Sequence, residues 1–171
     1  MADQVPKKWF AQTAMAGVGE MVMYLDTAII IKLLVREADS DWFDRTLAGR
    51  QFESSELAIA EVHSALLAKV RAGHVSVAER LAAGERFLAM IEDELIKLHP
   101  LNRSVLERAC AIQFACHPKI PLRTLDALHV ATCDLHRSGT LSTTDARMRS
   151  ACEQFAIALI PVRPEDVTTT N

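Results

Sequence analysis

The chain has 171 residues, enough for one domain that buries about 70% of its unfolded surface in a single core. Half of the residues are hydrophobic and 24% are charged, but only 5% are aromatic, so the core is expected to be aliphatic. A formal net charge of −3 excludes a broadly basic, nucleic-acid-coating surface; phosphate binding would need a local basic patch, metal ions, or both.

Residues 1–21 contain Lys7 and Lys8 followed by Trp-Phe-Ala-Gln-Thr-Ala-Met-Ala-Gly, too weakly apolar for a signal peptide. They are expected to be an extension, flexible or non-native, with the domain running over 22–163 and a polar tail over 164–171. Residues 22–26 read as a buried strand that ends on Asp26, followed at once by a short apolar helix over 27–35. A second helix fits 41–48, stopped by Gly49, and 51–54 a brief strand. A helix over 57–72 ends with Gly73 at the C′ position. Ser76 with Glu79 three residues on forms a capping box for a helix reaching residue 92.

Residues 94–98 alternate as a strand does, and 102–115 are helical. Two prolines make 117–121 a loop. A helix over 124–137 stops before Gly139, then come a strand at 140–143, a helix at 145–154 and a strand at 156–160. Strands alternating with helices of this length predict an α/β fold: a mainly parallel central sheet with helices on both faces. Ligands in such folds bind beyond the carboxyl ends of the strands, where Asp26 and Asp145 fall.

The four cysteines, Cys110, Cys116, Cys133 and Cys152, form no C-x-x-C pair and lie in apolar helical segments. They are expected to be buried, reduced thiols of a cytoplasmic protein. No apolar run approaches the roughly 20 residues that span a bilayer.

The carboxylates hold the chemistry. Asp26 closes an apolar strand and opens an apolar helix; a helix N-cap would account for it, and so would a ligand site. Glu61 shares a helical stripe with Ala58 and Ala65, at the edge of an apolar face. Asp126 enters a helix that is apolar all round, on one stripe with His129, Val130 and Cys133. In the first turn its charge gains from the helix dipole. Asp145 follows a strand and a Thr-Thr turn, where a cap and a strand-end ligand are again both open readings. Two carboxylates about 4 Å apart repel by roughly 4 kcal/mol at an effective dielectric of 20. Acids that meet therefore take up protons or hold a cation, and an all-oxygen set favours Mg²⁺ or Mn²⁺.

Four blocks resemble the PIN-domain family, specifically the VapC toxins of bacterial toxin–antitoxin pairs. They are Tyr24-Leu-Asp-Thr-Ala, Ser54-Ser-Glu-Leu-Ala-Ile-Ala-Glu61, Leu122-Arg-Thr-Leu-Asp-Ala-Leu-His-Val-Ala131 and Leu141-Ser-Thr-Thr-Asp145. The resemblance implies a three-layer α/β/α domain. It implies that Asp26, Glu61 and Asp126 bind metal, with Asp145 a fourth acid acting through water. Thr27 and Thr144 fall where the family often has a hydroxyl beside the site. It further implies a metal-dependent endoribonuclease that cleaves single-stranded regions of RNA, dimerises, and is inhibited by a small antitoxin inserting a basic side chain into the acidic pocket. The extension over 1–21 departs from that pattern.

Lys119, Arg123 and Arg147, with Arg149, are candidates for RNA phosphate, although an ordinary solvated surface explains each one singly. His129 is expected to pack beside the acids rather than to act as a base. The amphipathic helices at 41–48 and 57–72 are the expected antitoxin groove. The alternatives are a DNA-directed nuclease, a catalytically silent PIN fold acting through partner binding, and a receiver-like domain. The last lacks the acidic pair before Asp26 that it requires.

Overall fold

In the computed structural model the described residues are 22–37, 39–161 and 167–168; the extension at 1–21 lies outside them. Val22–Leu25 forms β1, whose side chains alternate between two apolar layers: Met23 and Leu25 face one, Tyr24 the other. Asp26 caps α1 (Thr27–Leu34), and α2 (Ser40–Leu47) follows. Then come β2 (Gln51–Ser55), α3 (Leu57–Arg71), α4 (Val77–Glu92) and β3 (Ile96–His99). The chain continues through α5 (Arg103–Cys116), α6 (Thr124–His136), β4 (Thr140–Ser142), α7 (Ala146–Gln154) and β5 (Ala158–Leu159).

All five strands pair in parallel in the order β3-β2-β1-β4-β5. Helices α1 to α4 close one face around Ile29, Phe43, Val62 and Phe87. Helices α5 to α7 close the other around Ile112, Val130 and Met148. The expected three-layer α/β fold with a parallel sheet is the one observed. The capping box at Ser76 and Glu79 is present, and Gly73 takes the left-handed conformation that ends α3 (φ +72°).

Three element ends shift because residues other than glycine adopt positive φ: Glu94, Arg137 and Ala156. Glu94 turns the chain after α4, so β3 starts at Ile96, and Ala156 trims the last strand to Ala158–Leu159. The cysteines differ from expectation at one position. Cys116, Cys133 and Cys152 are buried, but Cys110 is exposed. At 100° per residue it shares the outer stripe of α5 with Leu106 and Phe114, opposite the buried Val105, Ala109 and Ile112. No helix among the described residues is long and apolar enough to cross a membrane.

Candidate active site

Asp26 and Asp145 stand just past the carboxyl ends of β1 and β4, which are neighbours in the sheet. Here the strand order reverses, with β2 and β3 on one side and β4 and β5 on the other. Loops leaving such a switch point diverge and open a crevice.

Asp26 is 4% exposed, and both its oxygens are engaged. Oδ1 accepts from the Ile29 N–H at 2.8 Å, and Oδ2 accepts from the Thr143 hydroxyl. Burial pushes its pKa up; those two bonds pull against the rise and the nearby charge of Glu61 adds to it. The cap and the strand-end position are thus both real features of one carboxylate.

Glu61 projects from α3 and is gripped from two sides. His129 Nε2 lies 2.7 Å from Glu61 Oε2, and the Thr27 hydroxyl donates to the same oxygen at 2.6 Å. His129 is buried, with Nδ1 2.9 Å from the Tyr24 hydroxyl. A carboxylate only accepts, so Nε2 carries the proton shared with Glu61, and Nδ1 is paired with the Tyr24 hydroxyl. Burial holds the Tyr24 hydroxyl protonated far above its ordinary range. Burial also opposes ionisation of Glu61, but its bonds from His129 and Thr27 outweigh it and keep the carboxyl below its usual pKa.

Asp126, the third residue of α6, is half-buried, and its Oδ2 is enclosed without a hydrogen-bond partner. Burial and then the charge of Asp145 push its pKa up, against the pull of Arg147 and Arg123. Asp145 caps α7: Oδ1 accepts from the N–H groups of Arg147 at 2.8 Å and Met148 at 3.0 Å. Its Oδ2 lies 3.9 Å from the Arg147 guanidinium.

The four acids are linked in sequence rather than gathered at one point. Glu61 bonds Thr27, the neighbour of Asp26. Asp26 bonds Thr143, whose Oγ1 also accepts from the Asp145 N–H at 3.1 Å, and Asp145 faces Asp126 electrostatically. Among the described residues, no three His, Cys, Asp or Glu side chains converge as a ready-made metal cage.

A sequence model of the PIN domain family matches residues 23–154. The chain belongs to the PIN domain family. It is 38% identical over 144 residues to Ribonuclease VapC46 of Mycobacterium tuberculosis (strain ATCC 25618 / H37Rv), covering 81% of this chain and 95% of that protein. Ribonuclease VapC35 of Mycobacterium tuberculosis (strain CDC 1551 / Oshkosh) is 29% identical over 147 residues, covering 81% of this chain and 96% of its own. In fold the chain is similar to the crystal structure of FitAcB from Neisseria gonorrhoeae, with a TM-score of 0.60 at 18% identity, over 81% of this chain and 96% of that one.

Two members of this PIN domain's site are not apparent in its sequence. Thr143, rather than Thr144 alone, ties Asp26 to Asp145, and Tyr24 sets the ring of His129. Thr144 is buried at the mouth of a groove of about 520 Å³ between α1 and α3, which Glu61 also lines. The groove lies on the α1 side of α3, rather than between α2 and α3. Arg123 and Arg147 act on Asp126, whereas Lys119 stands exposed on the loop before α6. Arg149 is spent on structure, donating to the carbonyls of Thr143 at 3.0 Å and Ile160 at 3.2 Å.

The residues fit a hard divalent cation. Every candidate donor is a carboxylate oxygen, and Asp126 Oδ2 is an enclosed oxygen that lacks a partner. Mg²⁺ keeps several waters and needs only one or two direct carboxylates, so a linked set suits it as well as a cage does.

Proposed function

We propose that this PIN domain is a metal-dependent endoribonuclease of the VapC type, the toxin of a toxin–antitoxin pair. The relatives named as VapC ribonucleases match over nearly their whole length, which supports the activity. The observation that carries the mechanism is Asp126: an enclosed, unbonded carboxylate oxygen beside a second acid, at the switch point of a parallel sheet. A charge left there uncompensated is costly, and a cation relieves it.

Asp126 and Asp145, with Asp26 and Glu61, would hold Mg²⁺ or Mn²⁺. Bound there, the ion supplies an activated water and stabilises the charge that builds on the phosphodiester. The chain's own residues do the rest. His129 and Thr27 fix Glu61 as an anion on the wall of the groove. Thr143 keeps Asp26 and Asp145 in register, and Arg123 and Arg147 temper the acidic charge as a phosphate approaches.

The groove between α1 and α3 is the place for the antitoxin. Ile31, Ala65 and Ala68 offer it an apolar floor, with Glu61 at hand for a basic side chain. A homodimer is the expected assembly. The test is to incubate the purified chain with single-stranded RNA and DNA, in EDTA and then in Mg²⁺ or Mn²⁺. RNA cut only with metal supports the proposal. Cutting of DNA alone would favour a DNA-directed enzyme, and no cutting by inhibitor-free chain would favour a silent fold.

A further inference from the structure

Resting on the ribonuclease reading, we infer that the main chain at Thr168 is a positioning element for Asp145, so that Thr168 belongs to the framework of the active site. The turn from Thr143 to Asp145 lies beyond the last ladder residue of β4, Ser142. It must be held by other means. Arg149 fixes the carbonyl of Thr143, and the Thr143 hydroxyl takes the Asp145 N–H.

Thr168 supplies further main-chain bonds. Its N–H donates to the Thr144 carbonyl at 2.8 Å, and its carbonyl accepts from the Ala146 N–H at 3.1 Å, forming a parallel bridge opposite Asp145. These bonds fix the peptides immediately before and after the catalytic-site acid. They also settle how that acid is used. Ala146 N–H is one of the orphan donors at the start of α7. Asp145 Oδ1 already serves the next two donors, Arg147 and Met148. With the Thr168 carbonyl taking Ala146, Asp145 Oδ2 is left out of the cap. Without that carbonyl, a third amide would compete for the Asp145 side chain, and the Thr144 peptide would be free to rotate. Thr168 also lines the groove beside Thr144 and Leu125, which places it at the site rather than at a remote edge.

The test compares the parent chain, a truncation after residue 166, Thr168→Pro, which deletes the N–H bonded to Thr144, and Thr168→Val, which keeps both main-chain bonds. Mn²⁺ affinity is measured by titration calorimetry and RNA cleavage over a range of Mn²⁺, with thermal melts to show that each variant folds. Loss of a group that orients a metal-binding residue weakens metal affinity or activity by about 10- to 100-fold. The truncation and Thr168→Pro are expected to lose Mn²⁺ affinity in that range, to recover cleavage at excess Mn²⁺, and to melt cooperatively. Thr168→Val is expected to return the affinity to that of the parent. Parental Mn²⁺ affinity in both the truncation and Thr168→Pro would overturn the inference. The binding measurement is read whether or not RNA is cut, so failure of the ribonuclease reading and failure of this inference give different results.

Discussion

Asp126 and Asp26 are carboxylates whose pKa burial raises, and the sign of the consequence follows from linkage. The folded state holds the Asp126 proton more tightly than the unfolded chain does. The stability this group gives is therefore complete below the ordinary aspartate range and lost as pH rises through the raised value. Asp126→Asn is thus expected to be more stable than the parent at neutral pH, with the gain fading on acidification; urea unfolding across that pH range checks it. Thr143→Val removes the hydroxyl that serves both Asp26 and Asp145. A buried acceptor left without its donor costs about 1–3 kcal/mol, so the melting temperature should fall. If the proposed metal-dependent cleavage holds, it should weaken by about 10- to 100-fold, as on loss of a group that orients a metal-binding acid. The four candidate acids stand out in the sequence because each lies at a strand end or beside an apolar helical stripe, where burying charge is costly. Their supports were not. Tyr24 reaches His129 across 105 residues and Thr143 reaches Asp26 across 117, and nothing local marks either partnership.

Helix α1 is held to its neighbours by charge as well as by apolar packing. Lys32 meets Glu37 at 2.9 Å and Asp39 at 2.7 Å, and Glu37 also pairs with Lys69 on α3. Burial opposes the charge on Glu37, but Lys69 and Lys32 pull its pKa below the ordinary value. A depressed carboxylate stabilises above its ordinary pKa, and that contribution is lost as pH falls through the depressed one. Lys32→Met, which leaves two acids short of a partner, should cost about 1–3 kcal/mol at neutral pH. The deficit should shrink below the carboxylate range, measured by denaturant midpoints at the two extremes. Among the elements, capping chemistry carried the reading: Ser76 with Glu79 and Gly73 state their helix ends in local sequence. Glu94, Arg137 and Ala156 do not, because residues other than glycine rarely take the left-handed region and nothing in their type announces it.

For the whole molecule, alternation of strands and helices implied parallel pairing but not which strands are neighbours. The order β3-β2-β1-β4-β5 is what puts Asp26 beside Asp145, and it depends on which face each crossover takes. The open groove falls between α1 and α3, where Ile31, Ala65 and Ala68 line it, and not between α2 and α3 as their amphipathic patterns suggested. Mn²⁺ titration calorimetry on the parent and Asp126→Asn, with single-turnover RNA cleavage at matched Mn²⁺, tests whether the linked acids of this PIN domain hold a divalent cation that RNA cleavage requires. Saturable Mn²⁺ binding is expected for the parent, and in a folded Asp126→Asn the loss of both that binding and cleavage, the latter by about 100-fold or more. Parental Mn²⁺ affinity and cleavage in Asp126→Asn would show that these acids hold no such ion.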